Sequence, residues 1–207
     1  MNMKVEKLTD EKWLNLFKAK WVDKKGQDRD WLFSSRKDFS DGKIPETINS
    51  QREADAVVIV PILWNGNNEE NRLIVTKEWR APLNGYEYGF PAGLIDKGES
   101  LNQTVQRELK EETGLDLYYI NTLSPVTFSS IGMTDEAIVY AHVLCTGEIS
   151  NEYLEETEDI ETFAWSIDDI LDWYFDKCIG SEPNDINWSA KAWPYINNFM
   201  NNRKIDF

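Results

Sequence analysis

The sequence has few of the residues needed for a thiolate metal site, a disulfide scaffold or a membrane span. Its 207 residues include two cysteines and one histidine, and Cys145 and Cys178 do not form a CxxC pair. We therefore expect two reduced core thiols. No apolar run reaches the about 18 residues of a transmembrane helix, and MNMKVEKLTDEKW at the start has no apolar signal-peptide core. These absences predict a cytoplasmic protein that is not membrane-bound.

Positive charge is also scarce. The chain has 22 Lys and Arg against 37 Asp and Glu, a formal net charge of −15. Such a chain repels nucleic acid and anionic membrane, so we expect neither as a partner. An anionic substrate would bind only where local cations reverse the field. With 41% hydrophobic residues, the composition is that of a globular protein with a real core.

The order of predicted elements indicates a mixed sheet with flanking helices, in the α/β class. Residues 13–36 predict two strands around a turn at 24–27, and the polar stretch that follows, up to Glu53, has the character of a linker. Further strands are predicted at 56–64, 72–79, 86–90, 117–128 and 136–146, and helices at 100–113, 166–177 and 193–200. We therefore expect an N-terminal β extension over 1–50 and a main domain over 51–207.

The helix predicted at 100–113 has an unusual distribution of acids. On an ideal helix Leu101, Val105 and Leu109 form an apolar stripe, and Glu108 and Glu112 lie about 20° to either side of Leu101. Charge runs are usually solvated helix faces, but a solvated face would lie opposite the stripe. Two unpaired carboxylates directed at a core are costly, and a hard cation such as Mg²⁺ would remove that cost. We therefore favour a metal site.

The segment GLIDKGESLNQTVQRELKEETGL, residues 93–115, resembles the Nudix box. The matching positions are Gly93, Glu99, Arg107, Glu108, Leu109, Glu111, Glu112, Gly114 and Leu115. The resemblance implies an α/β/α sandwich around a mixed sheet and hydrolysis of nucleoside diphosphates linked to another moiety. It implies Mg²⁺ as cofactor, with Mn²⁺ as the alternative, held by Glu108 and Glu112 with help from Glu111 and the carbonyl of Ala92. Arg107 and Glu99 would brace these ligands.

The flanking sequences YGFPAGLIDKGES and KEWRAP resemble the ADP-ribose (ADP-sugar) pyrophosphatase branch of that family, over roughly residues 11–165. This resemblance implies a homodimer whose N-terminal strands help to build the partner's site. It implies that Trp13 and Trp31 enclose the adenine and that Arg80 binds the diphosphate, for which Arg36 is a second candidate. The alternatives are hairpin packing for the two tryptophans and an ordinary surface position for the arginines.

Two predicted loops contain further candidate residues, one for substrate selection and one for catalysis. SSIGMTDE, residues 129–136, resembles a loop that usually reads SPGxSDE in this branch and helps to select ADP-ribose, which makes Gly132 and Glu136 candidate substrate-binding residues. Ile131 replaces the proline, so other nucleoside diphosphate sugars compete with ADP-ribose. The branch also draws a catalytic glutamate from a loop that here is SNEYLEETEDIE, residues 150–161. Glu156 and Glu158 are both candidates for the general base or an extra metal ligand, and a solvated loop is the alternative.

The sequence therefore predicts a Mg²⁺-dependent Nudix enzyme that cleaves ADP-ribose to AMP and ribose 5-phosphate, or cleaves a related nucleoside diphosphate sugar. The first alternative is a Nudix pyrophosphatase for GDP- or UDP-sugars or another dinucleotide. The second is a sensor module that binds a nucleotide without cleaving it, which is disfavoured because no glutamate of the box is lost. His142, in an apolar strand, is expected to be structural.

Overall fold

The computed structural model describes residues 3–39, 41–44, 53–66, 71–176, 187–202 and 205. The chain forms two compact units, one of Met1–Asp55 with Val126–Ile138 and one of Ala56–Pro125 with Val139–Phe207. The predicted linker falls mainly on residues 45–52, and Cys178 and the end of the helix predicted at 166–177 fall on 177–186; both stretches lie outside the described residues. The predicted division near residue 50 stays a prediction.

The described residues contain strands and helices in the following order. The strands are β1 (Lys4–Lys7), β2 (Asn15–Val22), β3 (Asp28–Ser35), β4 (Ala56–Leu63), β5 (Arg72–Arg80), β6 (Gly85–Gly89), β7 (Ala92–Leu94), β8 (Asp116–Leu123), β9 (Thr127–Phe128), β10 (Ala137–Thr146), β11 (Ile160–Trp165) and β12 (Asn187–Trp188), and the helices are α1 (Leu101–Thr113), α2 (Ile167–Tyr174) and α3 (Trp193–Asn202). None of the helices in the described part of the chain is long and apolar enough to cross a membrane.

The first unit contains an antiparallel sheet in the order β1-β2-β3. The hairpin of β2 and β3 confirms the two strands predicted around residues 24–27, and Gly26 has the positive φ of 78° that this turn uses. Phe17, Phe33 and Phe39 form the core of this unit, with ring centroids 5.1–6.0 Å apart. Strand β1 was not predicted. Within the same unit, β9 pairs with the first two residues of β10.

The second unit is built on a mixed sheet, as predicted. Its strand order is β12-β6-β5-β4-β10-β8, with β11 also paired to β5 and β7 to β4. Strand β12 is parallel to β6, whereas β5 is antiparallel to β4, β6 and β11. The continuous strand predicted at 117–128 is wrong, because β8 ends at Leu123 and Pro125 has no N–H to donate to a ladder. Strand β11 was not predicted.

Helices cover both faces of this sheet. Alternate residues of β10 lie in the core cluster that also contains the apolar residues of α1; the cluster includes Val57, Ile59, Ile74, Val105, Leu109, Ala141, Val143 and Cys145. The intervening residues Tyr140 and His142 contact Tyr195 of α3, with ring centroids 5.4 and 5.2 Å away. Since neighbouring strand residues point to opposite faces, α1 and α3 lie on opposite sides of the sheet. This confirms the predicted α/β/α sandwich, and His142 packs as expected.

Candidate active site

The site begins with helix α1, whose position is fixed by its ends and its apolar face. The hydroxyl of Ser100 accepts a hydrogen bond from Gln103 N–H, and Ser100 N–H donates to Oε1 of Gln103 at 2.9 Å, which completes the predicted capping box. Gly114 ends the helix with a φ of 76° and donates to Lys110 O. Val105 and Leu109 are fully buried. The acidic side chains of α1 are therefore carried on a rigid element.

Glu108 and Glu112 are buried carboxyl groups. They are only 7% and 5% exposed, and Ala92 N–H donates to Oε2 of Glu112 at 3.2 Å. Burial raises the pKa of Glu112 well above its ordinary value, and the negative charges of Glu108, Glu78 and Glu158 add to that rise. Burial likewise raises the pKa of Glu108. The field at these two side chains therefore disfavours further negative charge and favours a cation.

Arg107 links most of the acids on this helix. Its Nη1 donates to Glu108 Oε1 at 2.7 Å and to Glu111 Oε2 at 3.0 Å. Its Nε and Nη2 donate to the two oxygens of Glu99, both at 3.0 Å, and Nη2 also reaches Leu94 O at 3.1 Å. The hydrogen bonds from Arg107 lower the pKa of Glu99 to about 2. Arg107 thereby fixes the orientation of Glu108 and Glu111 from one side.

Gly93 in β7 leaves the space that Glu108 occupies. A Cβ built at position 93 would lie 1.7 Å from Oε1 and 2.4 Å from Oε2 of Glu108. The glycine therefore forms a cradle for this carboxylate. Two buried carboxylates in such a cradle suit a divalent cation, which takes oxygen ligands. Within the described ranges, no group of three or more His, Cys, Asp or Glu side chains is arranged to hold a metal ion. One oxygen of Glu108 and one of Glu111 accept hydrogen bonds from Arg107.

Glu78 in β5 belongs to the same group of acids and was missed by sequence reasoning. Burial raises its pKa, with further contributions from the charges of Glu158 and Glu87. Arg80 pairs with Glu78 at 2.6 Å and lies 3.7 Å from Glu87. Arg80 is thus the cation at the edge of the acidic group. Strand alternation was the available signal, because it places Glu78 on the same face as Arg80.

The structure distinguishes the two glutamates predicted in the acidic loop. Glu158 is half-buried, and its charge raises the pKa of Glu78, Glu108 and Glu112. Glu156 is exposed and contributes to none of these shifts. Glu155 N–H donates to Oε2 of Glu158 at 3.0 Å, which holds this carboxylate in place. Of the two, Glu158 is therefore the one whose charge acts on the acids of α1.

Four of the six predicted substrate-binding residues lie together in the first unit. Trp31 Nε1 donates to Gly132 O at 3.0 Å, and Arg36 lies 3.9 Å from Glu136. Arg36 and Glu136 line a cavity of about 180 Å³ whose other walls include Leu14, Ser34, Lys37, Asp55, Thr134 and Asp135. Lys37, which was not predicted, pairs with Asp55 at 2.8 Å and Asp135 at 3.5 Å. This cavity therefore contains both acceptors and donors for a polar ligand.

Trp13 is placed differently from the other predicted residues of the first unit. It is 71% exposed, and Lys12 Nζ lies 4.2 Å from its ring centroid. Trp31 is 53% exposed. Within the described residues the two tryptophans make no ring contact with each other, so a planar ligand between them stays a prediction. Arg80, the sixth residue, lies in the second unit beside Glu78.

Helix α1 thus places two buried glutamates beside a glycine of a mixed sheet, an arrangement that suits a divalent cation. A sequence model of the NUDIX domain matches residues 53–179. The chain belongs to the Nudix family, and it is a Nudix hydrolase, as predicted.

Comparisons with known proteins agree on this family. The chain is 31% identical over 165 residues to a Saccharomyces cerevisiae "ADP-ribose pyrophosphatase", covering 77% of this chain and 67% of the yeast protein. It is 34% identical over 125 residues to the Escherichia coli "ADP compounds hydrolase NudE", covering 57% of this chain and 59% of that protein. A crystal structure of an ADP compounds hydrolase superposes with a TM-score of 0.59 at 17% identity, covering 96% and 92% of the two chains, which shows the shared fold.

Proposed function

We propose that this protein hydrolyses the diphosphate of ADP-ribose, or of a closely related nucleoside diphosphate sugar, with Mg²⁺ as its cofactor. From ADP-ribose the products are AMP and ribose 5-phosphate. The observation that carries the proposal is the burial of Glu108 and Glu112 beside Glu78 and Glu158, a group of acids that favours bound cations. The similarity to an ADP-ribose pyrophosphatase and an ADP compounds hydrolase supports an ADP-containing substrate.

Glu108 and Glu112 are the proposed holders of the cation, with Glu111 and the carbonyl of Ala92 as further ligands. When bound, the cation supplies charge neutralisation for the diphosphate and for the attacking oxygen. Arg107 keeps Glu108 and Glu111 in position through its hydrogen bonds. The cation that these residues would hold supplies the local positive charge that a chain of net charge −15 needs in order to bind an anionic substrate.

Glu158 is the proposed proton acceptor. Its Oε2 is held by Glu155 N–H, and its Oε1 accepts no hydrogen bond from the described residues. In the reaction, a water oxygen attacks one phosphorus and its proton passes to the Glu158 carboxylate. The bridging P–O bond breaks, and the leaving oxygen departs with the other phosphate. Arg80, exposed at the edge of the acidic group, is the proposed contact to the diphosphate oxygens, because a guanidinium fits phosphate geometry.

The second part of the proposal concerns recognition of the sugar and the base of the substrate. The cavity with Arg36 and Glu136 offers both a cation and a carboxylate to ligand hydroxyls. Ile131, in the same 129–136 loop, is 65% exposed, and it stands where the resembling branch has proline. This favours a second candidate function, cleavage of a GDP- or UDP-sugar, in which the same cation site acts on another nucleotide.

We also propose a homodimer in which Trp13 and Trp31 take the adenine. The high exposure of both rings supports this, because an exposed indole has a free π-face on which a purine can stack. Light scattering would give twice the chain mass for a dimer, and Trp31→Ala would raise KM for ADP-ribose more than it lowers kcat. A monomer with full activity would contradict the dimer.

The experiment that tests the function is product analysis on a substrate panel. The purified protein is incubated with Mg²⁺ and, separately, with ADP-ribose, ADP-glucose, GDP-mannose, UDP-glucose and NADH, and the products are separated by chromatography. Glu112→Gln is the control. AMP from ADP-ribose, absent in the control, is the expected result. A higher kcat/KM for a GDP- or UDP-sugar would select the second candidate, and tight ADP-ribose binding without any product would select a sensor.

A further inference from the structure

Asp159 is tied to two neighbouring strands of the second unit. The hydroxyl of Tyr86 in β6 donates to Oδ2 of Asp159 at 2.7 Å. The carbonyl of Asp159 accepts from Trp79 N–H of β5 at 3.0 Å. Asp159 is the last residue before β11, so its backbone hydrogen bond with Trp79 extends the pairing of β11 with β5 by one residue, and its side chain adds a link to β6. The acidic loop is thus anchored at the point where it enters the sheet.

The register of these strands separates Tyr86 from the acidic group. Trp79 pairs with Tyr86, and Glu78 pairs with Glu87. Since side chains alternate along a strand, Tyr86 projects to the face opposite Glu78. Asp159 reaches Tyr86 on that far face, whereas Ile160 pairs with Glu78. Glu158 is therefore next in the chain to the anchored Asp159 and two residues from the one that pairs with Glu78. This position agrees with the contribution of the Glu158 charge to the raised pKa of Glu78.

Among the described residues, the other hydrogen bonds near Glu158 are local to its turn. Glu158 N–H donates to Glu155 O at 3.0 Å, and Glu155 N–H donates to the carboxylate of Glu158. Both hydrogen bonds lie within the turn of 155–158. Tyr86, in contrast, has contacts with two residues outside the loop. Lys77 Nζ lies 4.7 Å from its ring centroid, and Asn187 Nδ2 donates to its carbonyl at 3.1 Å. In the hydrogen bond between Tyr86 and Asp159, Tyr86 is therefore the residue that is held in place by the sheet.

We propose that Tyr86 is a positioning residue for Glu158. Its hydrogen bond to Asp159 holds the loop so that the Glu158 carboxylate faces Glu78 and the acids of α1. The inference rests on the proposed function, in which Glu158 accepts the proton. Because Tyr86 projects to the face opposite Glu78, its removal is expected to act on kcat through Glu158 and to leave KM largely unchanged.

The first test is a double-mutant cycle with Tyr86→Phe and Glu158→Gln, measured as kcat and KM with the substrate that the panel selects. Tyr86→Phe removes only the hydroxyl, and we expect kcat to fall about 10-fold with KM within about twofold. In the Glu158→Gln background the same change has no further effect. Asp159→Asn keeps an oxygen acceptor for the tyrosine and retains most of the activity, whereas Asp159→Ala behaves like Tyr86→Phe. Tyr118→Phe, at an exposed position of β8, is the matched control.

The second test does not depend on turnover. Amide hydrogen exchange of residues 151–158 is expected to be several-fold faster in Tyr86→Phe than in the wild type, and unchanged in Asp159→Asn and Tyr118→Phe. The positioning role would be overturned if kcat of Tyr86→Phe equals that of the wild type, or if Tyr86→Phe lowers kcat equally in the Glu158→Gln background. Unchanged amide hydrogen exchange of residues 151–158 in Tyr86→Phe would also overturn it. If the wild type cleaves no compound, the proposed function fails and the exchange result alone decides whether Tyr86 holds the loop.

Discussion

Gly93 and the carboxylate of Glu108 occupy adjacent space, so that a Cβ at position 93 would lie 1.7 Å from Glu108 Oε1. Strand β7, which carries Gly93, packs against α1. The absence of a side chain at Gly93 is therefore what allows Glu108 to lie between the helix and the sheet. The atoms in conflict belong to the end of a flexible side chain, so the carboxylate can move while the backbone stays.

Gly93→Ala is expected to displace the Glu108 carboxylate and to weaken divalent-cation binding by about 10–100-fold while the fold is kept. Calorimetric titration with Mg²⁺ or Mn²⁺ and circular dichroism measure the two effects. Gly85→Ala is the matched control, because a Cβ there meets nothing closer than Leu83 O at 3.7 Å. Unchanged cation affinity in Gly93→Ala would show that Glu108 is not a ligand.

Glu99→Gln is expected to lower stability at neutral pH by about 1.5 kcal/mol or more, because it removes a charged acceptor of Arg107. The folded-state pKa of Glu99 is about 2, below its ordinary value of 4.5. A carboxyl with a lowered folded pKa stabilises the fold above pH 4.5, and this stability is lost as the pH falls towards 2.

Thermal unfolding of Glu99→Gln and the wild type should therefore differ most above pH 5 and converge as the pH falls below 4.5. Glu156→Gln, at an exposed position of the acidic loop, should follow the wild type throughout. A Tm difference between Glu99→Gln and the wild type that does not change between pH 7 and pH 3 would contradict the charge-based role of Glu99.

A comparison of Glu158→Gln with Glu156→Gln should show which acid of the loop is the proton acceptor. Because the charge of Glu158 raises the pKa of Glu108 and Glu112 and Glu158 is the proposed proton acceptor, its loss is expected to lower kcat by about 10²–10⁴-fold. Glu156→Gln should remain within about twofold of the wild type. Steady-state kinetics with ADP-ribose and Mg²⁺ give both values, and the reverse order of effects would identify Glu156 as the proton acceptor.

Cys145 should be unreactive in the folded protein. It is buried in the core, and burial raises the pKa of its thiol to about 12, so the thiolate is scarce at pH 8. In a Cys178→Ser variant, which has Cys145 as its single thiol, an Ellman reagent is expected to react only after denaturation. Fast reaction of the native variant would mean that Cys145 is accessible.

Helix α1 was predictable because its signals are local. Ser100, Gln103 and Gly114 mark its ends within the sequence itself, and the spacing of Val105 and Leu109 gives its buried face. The placement of the acids relative to that face is equally local, and it indicates the cation site. The β2–β3 hairpin was predictable for the same reason, since its turn lies between two short strands.

The structural features that the sequence did not predict depend on pairing between strands that are far apart in the chain. Strand β11 forms next to β5, more than 80 residues earlier in the chain, and neither segment specifies that register locally. Glu78 could be linked to Glu158 only once this pairing was known, as could Tyr86 to Asp159. The sequence therefore predicted helix α1 with its buried acids but did not distinguish Glu158 from Glu156.

The most direct test of the central claim is to follow ADP-ribose by ³¹P NMR in ¹⁸O-enriched water with Mg²⁺. We predict that the diphosphate signals are replaced by those of AMP and ribose 5-phosphate, with ¹⁸O in only one of the two products. A chelator or the folded Glu112→Gln variant should stop the reaction. If the diphosphate stays intact with the folded wild-type protein and Mg²⁺, or if Glu112→Gln cleaves it at the wild-type rate, the account is contradicted.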